Sequence, residues 1–125
     1  MTPPFAALVR SGGHGAGHYG LVLATTAAAL GRPAMVFATD EGLALLRADA
    51  PLEADPREGV LAGRGVATVA VLLAAARELG VRLVACEAGL RAEGLSASDL
   101  AEGVEVAGAA TLLGFAGGSG QVVTL

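Results

Sequence analysis

The segment VRLVACEAGL, residues 81–90, contains the pattern on which the fold class of this chain depends. Its first five residues, Val81–Ala85, form a mainly apolar run that predicts a buried β-strand. Glu87 and Gly89 follow almost at once, which indicates that the strand ends near Cys86 and that a loop or a helix begins there. A strand that is mainly apolar, rather than alternately apolar and polar, is typical of a parallel sheet covered on both faces.

The same order, an apolar strand followed by a helix-forming segment, recurs along the chain. Further strands are predicted over Phe5–Val9, Pro33–Ala38, Val104–Val106 and Gln121–Leu125. Helices are predicted over Leu21–Leu30, Glu41–Leu46, Val66–Leu79 and Ala107–Ala116, and Ser96 begins a capping-box pattern, S-x-x-D. The proline-containing stretch Ala48–Gly65 is predicted to be an irregular surface excursion. Alternating strands and helices indicate an α/β fold with right-handed crossovers, in one domain over residues 1–125.

The composition narrows the class of protein and the kinds of partner. Of the 125 residues, 54% are hydrophobic and only 16% are charged, which excludes a disordered chain. The net charge of −4 and the absence of tryptophan argue against nucleic-acid binding. The longest uncharged apolar run, Val66–Ala76, is too short to span a bilayer, and no secretory signal is visible, so we expect a cytoplasmic protein without a membrane span. Low charge with high hydrophobicity also predicts a homo-oligomer that covers part of the apolar surface.

Cys86 is the only cysteine and the leading candidate for a reactive group. A thiol at the carboxyl end of a strand, facing the amino terminus of a helix, is favoured as a thiolate by the helix dipole and by free N–H groups. A single cysteine also fits a reducing compartment, where disulfides are rare. The alternative is that Cys86 is a small buried hydrophobic residue, since free cysteine is among the most buried residue types.

A glycine-rich stretch, Ser11–Gly20, follows the first strand and is predicted to be a loop. Residues 15–20 match G-x-G-x-x-G, so one interpretation is a nucleotide- or anion-binding turn, and the other is a tight turn that needs glycine for its backbone angles. Loops at the carboxyl ends of parallel strands meet, which would bring this loop to Thr39–Gly42 and Cys86–Leu90. The ligand-binding candidates are Gly13, Gly15, Gly17, Tyr19, Thr39, Asp40 and Glu87.

His14 and His18 are the further catalytic candidates. Their spacing of four residues places both on one face if the segment is helical. An imidazole on the same edge as Cys86 would lower the pKa of the thiol or move a proton, and solvated loop histidines are the alternative. The three side chains lack an evident fourth zinc ligand, so we predict no metal. Glu87 would oppose a neighbouring thiolate by charge repulsion, and helix capping is the default role of Asp40.

Several segments together resemble the DsrE/DsrF-like sulfur-relay family, most closely its branch often labelled predicted peroxiredoxin. The resemblance rests on VACEA (84–88), GLS (94–96), DL (99–100), GVEVAGAAT (103–111), ALGRP (29–33) and VF (36–37). It covers most of the chain and is strongest over residues 81–113. The chain has neither a T-x-x-C motif nor a resolving cysteine, so the peroxiredoxin label has no counterpart in its residues.

The resemblance implies a three-layer α/β/α fold around a five-stranded, mainly parallel sheet, and assembly as a trimer or hexamer. It also implies that Cys86 takes up sulfur as a persulfide, with sulfur donor and acceptor proteins or small thiols as partners and no cofactor. The leading hypothesis is therefore a small cytoplasmic sulfur carrier, whose status as an enzyme stays open because carrier chemistry is stoichiometric. The alternatives are a nucleotide- or anion-binding module on the Gly12–Gly20 loop with a structural cysteine, and a purely structural oligomer subunit.

Overall fold

The computed structural model describes residues 2–125, which fold into a five-stranded sheet with helices. The strands are β1 (Phe5–Val9), β2 (Ala34–Ala38), β3 (Arg82–Cys86), β4 (Glu105–Ala107) and β5 (Gln121–Thr124). The α-helices are α1 (His14–Ala29), α2 (Arg57–Gly63), α3 (Val69–Glu78), α4 (Glu87–Ala92) and α5 (Ala109–Ala116), and the 3-10 helices are Asp40–Leu46 and Ala97–Asp99. Across residues 2–125, no helix has the length and apolar character needed to cross a membrane.

All neighbouring strands are parallel, in the order β4–β3–β2–β1–β5, and each predicted strand is present within one residue of its predicted bounds. From β1 to β4 the chain moves one place along the sheet at each step, and it then returns across the sheet to β5. Because parallel crossovers are right-handed, α1, α3 and α4 lie on one face and α5 lies on the other. The predicted three-layer α/β/α arrangement is confirmed.

The two faces of the sheet carry separate sets of buried side chains. On the first face, alternate strand residues such as Val36 pack with Leu21 of α1. On the second face, the intervening residues, among them Met35 and Cys86, pack with Leu112 of α5. Successive side chains of a strand point to opposite faces. The sheet therefore separates the Cys86 side chain from the layer that contains α1.

The predicted loop over Ser11–Gly20 is wrong from His14 onward, because α1 begins there. Gly17 and Gly20 are buried, and a Cβ atom at Gly17 would lie 2.7 Å from Cδ1 of Leu52. A Cβ atom at Gly20 would lie 2.9 Å from a valine methyl group of β1. These glycines allow the helix to pack closely on its neighbours, and that packing outweighs their low helix propensity.

The stretch Ala48–Gly65, predicted to be irregular, contains α2. The next helix, α3, begins three residues later than predicted because Thr68 caps it and accepts a hydrogen bond from the Val71 amide at 3.2 Å. The predicted capping box is confirmed, since the Ser96 amide donates to Oδ2 of Asp99 at 2.9 Å. The capping-box pattern thus placed one helix start correctly, whereas the Thr68 cap was not used and the start of α3 was predicted too early. The glycine and proline content concealed two helical segments.

Candidate functional site

Cys86 is the last residue of β3 and immediately precedes α4. Its thiol is free and lies in the second-face core near the carboxyl edge of the sheet, with 9% of the residue surface exposed. The helix that follows has six residues, and the thiol makes no capping hydrogen bond to it. Cys86 therefore lies at the strand end, as the sequence predicted. The hydrogen bonds from helix N–H groups that were expected to stabilise a thiolate are not formed.

The loops after β1, β2 and β3 meet at this carboxyl edge. Gly89 of α4 packs so closely on Thr39 that a Cβ atom at Gly89 would overlap Oγ1 of Thr39. In the same way, a Cβ atom at Gly12 would lie 3.0 Å from Cβ of Glu41. The predicted meeting of three segments is thus observed, with only Ser11–Gly13 left of the glycine-rich loop.

An ion pair that the sequence did not reveal lies on the same edge. Arg10, directly after β1, pairs with Asp40, the second residue after β2, and Nη2 of Arg10 lies 3.2 Å from Oδ2 of Asp40. Asp40 has a φ of +52°, in the left-handed region that residues other than glycine rarely adopt. The partner of the Asp40 carboxylate is therefore Arg10 rather than a helix amino terminus. A basic residue directly after an apolar strand was the signal available in the sequence.

The Glu87 carboxylate is exposed to solvent and pairs with Arg91. Its side chain is 61% exposed, and Oε1 lies 3.3 Å from Nη2 of Arg91, one helical turn later. Water and the neighbouring guanidinium screen this carboxylate. The repulsion that the sequence predicted between Glu87 and a thiolate at Cys86 is weakened accordingly.

The two histidines do lie on one face of a helix, with their rings stacked at a centroid separation of 5.8 Å. Nε2 of His14 lies 2.6 Å from Oε1 of Glu58, and Nε2 of His18 lies 2.8 Å from the carbonyl oxygen of Ala67. Both rings therefore join α1 to the segments around α2 and α3. The structure does not bring either histidine together with Cys86, whose side chain lies on the other face of the sheet.

Glu58 is the partner of His14 that sequence analysis missed, because it lies in the stretch predicted to be irregular. Its carboxylate also accepts hydrogen bonds from the amides of Val69, at 2.8 Å, and Ala70, at 3.2 Å. Burial acts to raise the pKa of Glu58, but the hydrogen bonds from His14 and from the two amides outweigh it and hold that pKa below its usual range. Glu58, on α2, thus forms hydrogen bonds with both α1 and α3.

The glycine candidates do not form a phosphate-binding loop. Gly13 is the residue before α1, whereas Gly15 and Gly17 lie within the helix, and Tyr19 is exposed on its surface. The G-x-G-x-x-G match therefore occupies a helix, and the strand-to-helix turn expected over residues 15–20 is wrong. Within the described part of the chain, no three His, Cys, Asp or Glu side chains are grouped so that they could hold a metal ion.

Solved structures show the same fold. The ychN protein from E. coli is similar with a TM-score of 0.73 and 18% identity, over 100% of both chains. A protein of unknown function from Methanobacterium thermoautotrophicum is similar with a TM-score of 0.62 and 20% identity, over 98% of this chain and 99% of that one. No curated protein matches this sequence.

Family membership rests on the sequence itself rather than on these distant structures. The profile of the DsrE/DsrF-like family matches residues 4–125, which is nearly the whole chain. The match includes β3, Cys86 and the loops of the carboxyl edge. The chain therefore belongs to the DsrE/DsrF-like family.

Proposed function

We propose that this protein is a sulfur carrier that holds sulfane sulfur as a persulfide on Cys86. The observation that carries the proposal is the position of that thiol, the only one in the chain, at the carboxyl end of an interior parallel strand. Ligands of open α/β sheets gather at this edge. Membership of the DsrE/DsrF-like family supports sulfur relay as the chemistry.

The proposed reaction is a thiol exchange that needs no added oxidant or reductant. The Cys86 thiolate attacks the sulfane sulfur of a donor, a new S–S bond forms, and the donor's own bond to that sulfur breaks. With thiosulfate the leaving group is sulfite, which departs with the electron pair of the broken bond. An acceptor thiolate then attacks the outer sulfur, takes it as a new persulfide, and releases Cys86 as a thiolate.

The surroundings of Cys86 support a carrier of small donors. Cys86 is buried at the edge of the second-face core, with 9% of the residue exposed. A persulfide held there is shielded from most solvent thiols, which favours delivery to a partner that fits the edge. His14 and His18 take no part in this proposal, because their rings contact Glu58 and Ala67 instead.

We also propose that the chain is a single cytoplasmic domain that assembles as a trimer or hexamer. Leu113 of α5 is 66% exposed, and Val122 of the edge strand β5 is 40% exposed. Apolar side chains at such positions favour contact with another copy. Light scattering that shows a monomer at micromolar concentration would remove the oligomer from the proposal.

Intact-protein mass spectrometry tests the carrier function directly. Wild type and Cys86→Ser are exposed to polysulfide, or to thiosulfate with a sulfurtransferase, and then to a reductant. We expect added sulfur on wild type only, and its loss on reduction. Absence of added sulfur on wild type from every donor would refute the proposal, and so would equal addition to both proteins.

A second experiment tests the alternative that Cys86 is a structural residue. Alkylation of Cys86 by iodoacetamide is followed in native and in denatured protein. The carrier proposal requires reaction in the native state without global unfolding. Reaction that appears only after denaturation would mean that the thiol is a buried packing residue.

A further inference from the structure

We propose that Arg10 is a specificity-determining residue that favours anionic sulfur donors, such as thiosulfate and polysulfide, in the reaction of Cys86. The inference rests on the proposed carrier function and adds the charge class of the donor. It concerns a residue that neither the glycine-rich motif nor the cysteine segment pointed to.

The register of the sheet aligns the two residues. Strand pairing places Val9, Ala38 and Ala85 side by side across β1, β2 and β3. One residue further along the chain, β1 gives way to Arg10 and β3 ends with Cys86. Adjacent strands are about 4.8 Å apart, so the two backbones are separated by about 10 Å.

Arg10 continues the extended backbone of β1. Its amide donates to the carbonyl oxygen of Leu125 at 2.7 Å, and its carbonyl oxygen accepts from the amide of Gly42 at 3.0 Å. Leu8, two residues earlier, packs against the second-face core that includes Cys86. Because strand side chains alternate between faces, Arg10 and Cys86 project from the same face of the sheet.

The guanidinium of Arg10 retains hydrogen-bonding capacity for a further anion. Its two contacts, from Nε at 3.4 Å and Nη2 at 3.2 Å, both go to one oxygen of Asp40. An arginine has five N–H donors, and this side chain is 62% exposed. Planar donors of this kind suit the oxygens of thiosulfate and the terminal charge of a polysulfide.

The position of Arg10 is set by its partner. Asp40 occupies the left-handed backbone region, and Gly42, two residues later, packs directly on the carbonyl group of Val9. The turn after β2 is therefore held against the end of β1, with the ion pair across it. The other charged pair near the thiol, Glu87 with Arg91, is a separate local pair on α4.

Two alkylating reagents of different charge distinguish electrostatic attraction of an anion from accessibility of the Cys86 thiol. Cys86 in native protein is treated with iodoacetate, which is an anion, and with iodoacetamide, which is neutral and of nearly the same size. The ratio of the two rate constants measures the local field at the thiol and cancels changes in exposure and thiolate fraction. Wild type is compared with Arg10→Gln, Asp40→Asn and Arg47→Gln, the last of which also loses a surface Arg–Asp pair.

When the backbone separation of about 10 Å is taken as the distance between the Arg10 charge and the reacting sulfur, Coulomb's law predicts a change of about twofold to tenfold in that ratio. We expect the rate constant for iodoacetate divided by that for iodoacetamide to fall by this factor in Arg10→Gln and to rise in Asp40→Asn. In Arg47→Gln it should stay at the wild-type value. Asparagine tolerates the left-handed region, which keeps the Asp40 variant foldable. Added salt should lower the wild-type ratio, because the Debye length at about 0.1 M is about 10 Å.

The outcomes distinguish this inference from the function on which it rests. If Cys86 reacts with both reagents but the ratio is the same in wild type and Arg10→Gln, the role of Arg10 is refuted and the carrier function stands. If Cys86 reacts with neither reagent in native protein, both proposals fail. Should Arg10→Gln not fold, an unchanged ratio in Asp40→Asn together with a salt-independent wild-type ratio refutes the role of Arg10.

Discussion

Removal of the Glu58 carboxylate should destabilise the protein far more than removal of any exposed acid. The side chain is 12% exposed and accepts three hydrogen bonds, from His14 and from the amides of Val69 and Ala70. In Glu58→Ala, the Nε2 atom of a histidine whose side chain is only 6% exposed loses its partner. Two amides of the first turn of α3 lose their acceptor as well.

The magnitude follows from those contacts. A hydrogen bond to a charged group contributes about 1.5–3 kcal/mol, and a helix cap contributes about 0.5–2 kcal/mol. Water reaches the α3 amides once the side chain is gone, and neighbouring contributions do not add fully. We therefore expect the free energy of unfolding of Glu58→Ala to fall by about 2–4 kcal/mol.

Urea denaturation at one fixed protomer concentration measures this effect. With a slope of about 2 kcal/mol per molar urea, the transition midpoint should fall by about 1–2 M. Glu53→Ala is the matched control, because Glu53 is exposed and its loss should change the free energy of unfolding by less than about 0.5 kcal/mol. Equal midpoints for the two variants would refute the argument that Glu58 joins three helices.

The same carboxylate predicts a pH dependence with a definite sign. Burial raises the pKa of Glu58, but its hydrogen bonds outweigh burial and leave the folded-state pKa below that of the unfolded chain. The stabilisation is therefore complete above the ordinary pKa of a glutamate and is lost as the pH falls through the lowered folded-state value. The difference in unfolding free energy between wild type and Glu58→Gln should shrink on acidification below about pH 4. A difference that is constant down to about pH 3 would contradict this account.

Three further predictions concern packing and a half-exposed ion pair. Gly42→Ala should destabilise the protein by more than about 2 kcal/mol in urea, because a Cβ atom there would overlap the carbonyl oxygen of Val9, and wild-type stability of the variant would contradict that packing. Gly59→Ala, with open space around the added methyl group inside α2, should stabilise it by about 0.5–1 kcal/mol, and a lower melting temperature would count against an ordered α2. Arg82→Gln should cost less than about 1 kcal/mol, with the cost falling as salt is added, because its pair with Glu105 is half-exposed; a loss of several kcal/mol would refute the surface assignment.

Local sequence patterns were sufficient to predict the strands and the position of the Cys86 thiol at a strand end. An apolar run bounded by turn residues marks each strand, and the step from Ala85 through Cys86 to Glu87 marks the end of β3. The capping box that begins at Ser96 was likewise visible, because both of its hydrogen-bonding groups lie within four residues. Interactions of this short range depend on neighbouring residues and are therefore legible in a sequence.

Local composition was misleading where packing opposes propensity. The residues from His14 to Gly20 are rich in glycine, which in isolation favours a loop, yet they form the first turns of α1. Glycine is required there by the close approach of the helix to Leu52 and to β1, a contact across distant parts of the chain. The same holds for α2, whose proline-containing surroundings conceal it.

The sequence alone thus determined the α/β class, the order of the strands along the chain, the family and the location of Cys86 at a strand end. Only the tertiary structure decided which distant residues become the partners of the polar side chains. It directed His14 to Glu58, 44 residues away, and brought Arg10 to Asp40, 30 residues away, on the edge that Cys86 shares. The reason is physical: the face and register of a strand position its side chains relative to residues from elsewhere in the chain, and a local pattern contains no information about those partners.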